Sequence, residues 1–166
     1  MEIAFSGPRQ LSPKEEQEIY KDLSFFISSQ DANWHVGDAS GLDDFIRRAA
    51  AHYGKKLTVY EREGNQRWQF AARSKRMIDA IADRRDTWLY AFPNQLCPPE
   101  CKPCSNPNGS GSGTWLTIAY AKHKNVQIYL FPLLRHRYGD RTWLPNWLTA
   151  STPTAIEEAP QQLSLF

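Results

Sequence analysis

Three short turns combine glycine with hydroxyl and guanidinium side chains at a spacing suited to holding a phosphate. Ser6-Gly7-Pro8-Arg9 follows an apolar run at 2–5, and Gly37-Asp38-Ala39-Ser40-Gly41-Leu42-Asp43 follows another at 34–36. The third, Asn108-Gly109-Ser110-Gly111-Ser112-Gly113-Thr114, precedes a helix-like run at 115–121. Glycine lets a chain turn sharply and lets a ligand reach its amides, and a helix start aims those amides at an anion. Ser6, Ser40, Ser110, Ser112 and Thr114 add hydroxyls, which could donate to phosphate oxygens or cap the following helices. Arg9 and Arg73 carry guanidinium forks that match phosphate geometry. Asp38 and Asp43 could hold ribose hydroxyls or a metal, and Asp43 could instead cap the next helix.

The elements that must position these residues are legible as periodic runs. Apolar stretches at 2–5, 34–36, 57–60, 87–92 and 126–131 read as short buried strands. Ser12-Pro13-Lys14-Glu15 opens a helix with a capping box and proline at its first position. Ile19, Leu23, Phe26 and Ile27 form that helix's apolar face. Leu42, Phe45, Ile46, Ala49, Ala50 and Tyr53 form a second stripe that stops at Gly54. Phe70, Ser74, Met77, Ile78 and Ile81 form a third, with Arg73 at its start, and 115–123 a fourth.

Alternation of strand and helix predicts an α/β, Rossmann-like three-layer fold. Its mainly parallel sheet has about five strands, with helices on both faces. Ligands of such sheets bind beyond the carboxyl ends of the strands, where all three turns fall. The expected domain spans 1–150, interrupted at 93–106 by a loop holding all three cysteines and four prolines. Trp143 and Trp147 are expected to fold back over the sheet. From 151 the chain turns small, polar and acidic, the composition of a flexible tail through 166.

Composition narrows the function classes. A chain of 166 residues, 41% hydrophobic and 23% charged, is ordinary for a globular domain. Its formal charge of +2 argues against strong indiscriminate nucleic-acid binding. No stretch approaches a membrane span, the first residues lack a basic leader, and three cysteines make a poor disulfide framework, so a cytoplasmic site is expected.

The turns, with Ala72-Arg73-Ser74-Lys75-Arg76-Met77, resemble over about 1–131 the SLOG superfamily. That group embraces the Rossmann-like domain of DprA, the LOG phosphoribohydrolases and the YspA/YpsA-like proteins, the last being the most similar. The resemblance implies a bacterial or phage-type protein binding a nucleotide or nucleotide derivative. LOG hydrolases carry PGGxGTxxE, and aligning Gly113-Thr114 on it puts Thr117 where the glutamate should stand. Threonine cannot replace a carboxylate in glycosidic-bond chemistry. The reading therefore leans away from an enzyme, with no catalytic residue assigned. A LOG-like nucleotide or N-glycoside hydrolase using Asp38, Asp43 or Glu61 remains an alternative. So does a DprA-like single-stranded DNA binder, and a homo-oligomer is compatible with either.

Two further clusters bear on partners. Cys97, Cys101 and Cys104, with an outside ligand such as His123, could hold a structural zinc; reduced loop cysteines are the plainer reading. Arg67, Arg73, Lys75 and Arg76 with Trp68 and Phe70 could face single-stranded nucleic acid. The plainer reading puts Phe70 in the core and the charges on a wet helix face.

The chain's end is the sharpest partner signal. Gln162, Leu163, Ser164, Leu165 and Phe166 resemble the bacterial sliding-clamp-binding pentapeptide, QL[S/D]LF. Leu165 and Phe166 would fill an apolar pocket while Gln162 supplies directed hydrogen bonds. From average residue usage a chance match at one position is on the order of one in 10⁵. The expected function is a nucleotide-binding protein tethered to DNA replication or repair through the polymerase sliding clamp.

Overall fold

A computed structural model of the chain describes residues 1–133, 141–148 and 152–155. Five strands form one sheet: β1 (Glu2–Ser6), β2 (Asn33–Gly37), β3 (Leu57–Tyr60), β4 (Thr87–Ala91) and β5 (Gln127–Leu130). The order is β3-β2-β1-β4-β5, and every neighbouring pair is parallel. Four helices connect them: α1 (Pro13–Asp22), α2 (Leu42–Tyr53), α3 (Arg67–Ala82) and α4 (Gly113–His123). A short π-helical segment, Leu23–Ile27, prolongs α1. This is the Rossmann-like α/β arrangement that the alternation of runs predicts.

Side-chain alternation along the strands builds two cores. Ile3, Phe5, Trp34, Val36, Tyr90, Phe92, Tyr129 and Phe131 pack with α1 and α2. Ala4, Leu89, Ala91, Ile128 and Leu130 face α3 and α4. The period of two is what divides each strand between opposite faces. Burying large apolar side chains contributes roughly 1.5–3 kcal/mol apiece relative to exposure, so both faces hold the sheet.

Local signals fix the helix ends. Ser12 Oγ accepts from Glu15 N, the Glu15 carboxylate accepts from Ser12 N, and Pro13 occupies the first turn, as the sequence predicts. The α2 helix ends at Gly54. The third helix begins earlier than its apolar stripe suggests. Arg67 is its first residue, so Arg73 lies in its second turn and not at its start.

Two expectations are revised, for Phe70 and for the chain after 150, and that for Trp143 and Trp147 gains its partner. Phe70 is half-buried outside both cores, because it lines a cleft. Trp143 and Trp147 pack against the core that the sheet shares with α3 and α4, edge-on to Trp115 of α4 at centroid distances of 6.5 and 6.2 Å. The described part of the supposed flexible tail is seated: Leu130 N donates to Pro153 O, Thr154 bridges Leu130, and Thr152, Thr154 and Ala155 are buried. The domain therefore extends past 150. Gln162, Leu163, Ser164, Leu165 and Phe166 lie outside the described residues. Among the described residues no helix is long and apolar enough to cross a membrane.

Candidate functional site

A cleft of about 430 Å³ opens at the carboxyl edge of the sheet. It sits above β1 and β4, where the strand order reverses, the position at which open α/β sheets hold ligands. All three glycine turns reach it. Ser6, Gly7, Pro8 and Arg9 come from the end of β1, Gly37 and Ala39 from the end of β2, and 108–114 from the approach to α4. The convergence inferred from three separate stretches of sequence is present in the fold.

The third turn is the part most open to a ligand. Ser110 and Gly111 take positive φ values of 45 and 90°, a pair that turns the chain back onto the helix start. Ser112 caps α4, its hydroxyl accepting from Trp115 N at 3.2 Å. Among the described residues the N–H groups of Gly111, Gly113 and Thr114 meet no acceptor. Gly113 and Thr114 begin α4, so their amides lie where no intrahelical partner exists and where the helix dipole favours an anion.

The second turn has a different task from the one its composition suggests. Ser40 Oγ donates to Arg9 O at 2.8 Å, and Leu42 N donates to Pro8 O at 3.0 Å. Gly41, at φ 71°, lies against the backbone of Pro8 and Arg9, where a side chain would collide. Ser40 and Gly41 thus fasten the first turn and do not line the cleft. A two-loop contact of this kind cannot be read from either loop alone.

Arg73 is buried, 7% exposed, in the cleft wall. Its Nη1 donates to Asp43 Oδ2 at 2.8 Å and to Asp38 Oδ1 at 3.1 Å. Asp43 Oδ2 also accepts from Ala39 N, and Asp38 Oδ2 from Arg62 N. Both carboxylates therefore serve as anchors for the guanidinium and the loops. Asp43 does not cap α2. Burial pushes the Asp43 carboxyl upward, opposed by the neighbouring Arg73 guanidinium and the Ala39 amide. The Nε of Arg73 is buried with no hydrogen-bond partner. A buried N–H left unpaired costs roughly 1–3 kcal/mol.

Arg9 is placed by stacking. Its Cζ lies 4.5 Å from the centroid of Phe70, and Arg62 Cζ lies equally close to the same ring. An aromatic ring holds guanidiniums without neutralising them. Arg67 reaches the same cleft from the first residue of α3. Asn94 and Gln95, just after β4, complete the edge. The sequence reading missed these two. Their place directly after a strand, at the same sheet edge as the turns, was the available signal.

The hydrolase alternative finds little material. Thr117 is buried and donates to Gly113 O at 2.8 Å, away from the cleft. Asp38 and Glu61 do not line the cleft, and Asp43 is engaged by Arg73. The zinc site is not assembled either. Cys101 is buried, with Sγ 3.4 Å from Trp115 O, Cys97 hydrogen-bonds beside it, and Cys104 is exposed. Among the described residues no three His, Cys, Asp or Glu side chains converge on one point.

No family model and no curated protein sequence matches the chain. Among solved structures it is similar to the X-ray structure of DNA processing protein A (DprA) from Streptococcus pneumoniae. The two share 15% identity at a TM-score of 0.56, over 79% of this chain and 50% of that one. The chain thus spans about half the length of that protein, and the likeness is one of fold: a DprA-like, Rossmann-like α/β sheet.

Proposed function

We propose that the cleft binds a nucleotide-type ligand by its phosphates, and that 162–166 tethers the protein to a DNA polymerase sliding clamp. One observation carries the ligand reading. Gly111, Gly113 and Thr114, whose amides are unpartnered, line a single cleft with Arg9, stacked on Phe70, and Arg73, whose buried Nε has no partner. Backbone N–H groups at a helix start and guanidinium forks are complementary to phosphate oxygens. Binding without turnover is favoured, since Asp43, the cleft's carboxylate, is already spent on an arginine.

The tether rests on the sequence Gln162-Leu163-Ser164-Leu165-Phe166, and the DprA-like fold suits a role beside DNA. Such a tail raises local concentration near DNA without a strongly basic surface. Calorimetric titration with nucleoside mono- and diphosphates tests the cleft: saturable binding, weakened by Arg9→Ala, supports it, and no binding by any of them sinks it. Capture on immobilised clamp tests the tail. Capture should be lost when 163–166 are deleted; unchanged capture removes the replication assignment.

A further inference from the structure

Helix α3 presents Arg67, Phe70, Ala71 and Ser74 to the cleft, residues at i, i+3, i+4 and i+7 of one helical face. Trp68 also lines the cleft, yet it is 62% exposed. Among the described residues it has no ring partner and its indole N–H no acceptor. An exposed tryptophan at a site wall leaves a large apolar surface in water, which a flat ligand group would cover. The other five tryptophans do not line this cleft.

Charge narrows the ligand further. The cleft is lined by Arg9, Arg67 and Arg73 against a single carboxylate, Asp43, which is paired to Arg73. Arg9 and Arg67 have no carboxylate partner among the described residues. Two uncompensated guanidiniums call for at least two negative charges on the guest. Trp68 and Arg73 are five residues apart on α3, about 7–8 Å along the axis at ~1.5 Å per residue. A ribose is long enough to join a base at one to a phosphate at the other.

We propose that Trp68 is the nucleobase-stacking platform of this cleft, and that the cleft takes a nucleoside diphosphate. The assignment rests on the phosphate reading above and adds the base and the phosphate count to it. Stacking of a base on an aromatic side chain is worth about 1–3 kcal/mol and tolerates different bases. The base lies on the indole at the rim, while the diphosphate reaches Arg9, Arg67, Arg73 and the amides of Gly111, Gly113 and Thr114.

The test compares ADP with inorganic pyrophosphate, which has the charge and lacks the base. Binding of each is measured by calorimetry on the full chain and on Trp68→Ala and Trp68→Phe. Trp68→Ala should weaken ADP about 10-fold and leave pyrophosphate unchanged, whereas Trp68→Phe should retain most ADP affinity. Because the side chain is exposed, both variants should fold, which a thermal melt verifies. If Trp68→Ala leaves ADP affinity intact while pyrophosphate still binds, the stacking assignment fails and the phosphate site survives. If the natural chain binds neither probe, the phosphate reading fails and takes this one with it. If a single-stranded oligonucleotide binds in a Trp68-dependent way and ADP does not, the ligand is a nucleic-acid strand and the mononucleotide assignment is overturned.

Discussion

Arg73 Nη1 lies 2.8 Å from Asp43 Oδ2 and 3.1 Å from Asp38 Oδ1, so one nitrogen ties α3 to the junction after β2. Gly37 makes that approach possible, because a Cβ there would collide with the Arg73 guanidinium. Charges taken from water are costly unless paired, and removing one partner leaves the others exposed to that cost. Arg73→Met should therefore lower the unfolding free energy by about 3–5 kcal/mol, measured by urea denaturation. A loss below about 1 kcal/mol, the range of surface pairs, would show that the pair does not hold these elements together.

Two glycines should behave in opposite ways. Gly41 combines φ 71° with close contact to the Pro8 and Arg9 backbone, and Gly41→Ala should cost about 1–3 kcal/mol by thermal or chemical melt. A Cβ at Gly113 meets nothing within 4 Å. Gly113→Ala should leave stability within about 0.5 kcal/mol, as an unhindered helix-start substitution does. Equal costs at both sites would contradict the proposed fastening of the first turn by the second.

Acid should reveal the N-terminal strand. Burial opposes ionisation of Glu2, but hydrogen bonds from His35, Asn33 and Arg84 outweigh it and hold the carboxyl at about 2, below its ordinary 4.5. The folded state thus favours the carboxylate. Its stabilisation is whole above pH 4.5 and is lost as the pH falls toward 2. Glu2→Gln should flatten the acid limb of a melting-temperature profile and leave its neutral limb lower. An unchanged acid limb would refute the linkage.

The three thiols should alkylate in a fixed order. Cys104 is exposed, Cys97 half-buried and Cys101 buried. The hydrogen bond with Cys101 and burial both push the Cys97 thiol up, while the same bond lowers Cys101. Access still decides for Cys101, since the thiolate must meet the reagent. Peptide mass spectrometry after brief iodoacetamide treatment should find Cys104 modified first and Cys101 last. Early labelling of Cys101 would show that the loop at 97–104 opens readily.

Much of this protein is written locally. Strand and helix alternation, the Ser12–Glu15 cap and the three glycine turns need only neighbours in sequence, and they determine a parallel α/β sheet with glycine turns at its carboxyl edge. The DprA-like fold bears out that architecture. The pentapeptide at 162–166 is likewise a purely local signal. What the tertiary structure decided is the employment of each polar group. By sequence Arg73 is a helix-start cation; α3 begins six residues earlier, at Arg67, and places it inside the wall, where Asp38 and Asp43 from beyond β2 both pair with it.

Phe70 and Trp68 make the same point. Both sit on one amphipathic-looking helix, and periodicity alone could not tell a core ring from a cleft ring. Their roles were set by what lies opposite: Arg9 and Arg62 over Phe70, and open cleft beside Trp68. Ser40 and Gly41 were bound to Arg9 and Pro8 for the same reason. Hydrogen bonds and ion pairs between segments some 30 residues apart depend on how strands stack side by side, and that geometry is absent from any single stretch of chain.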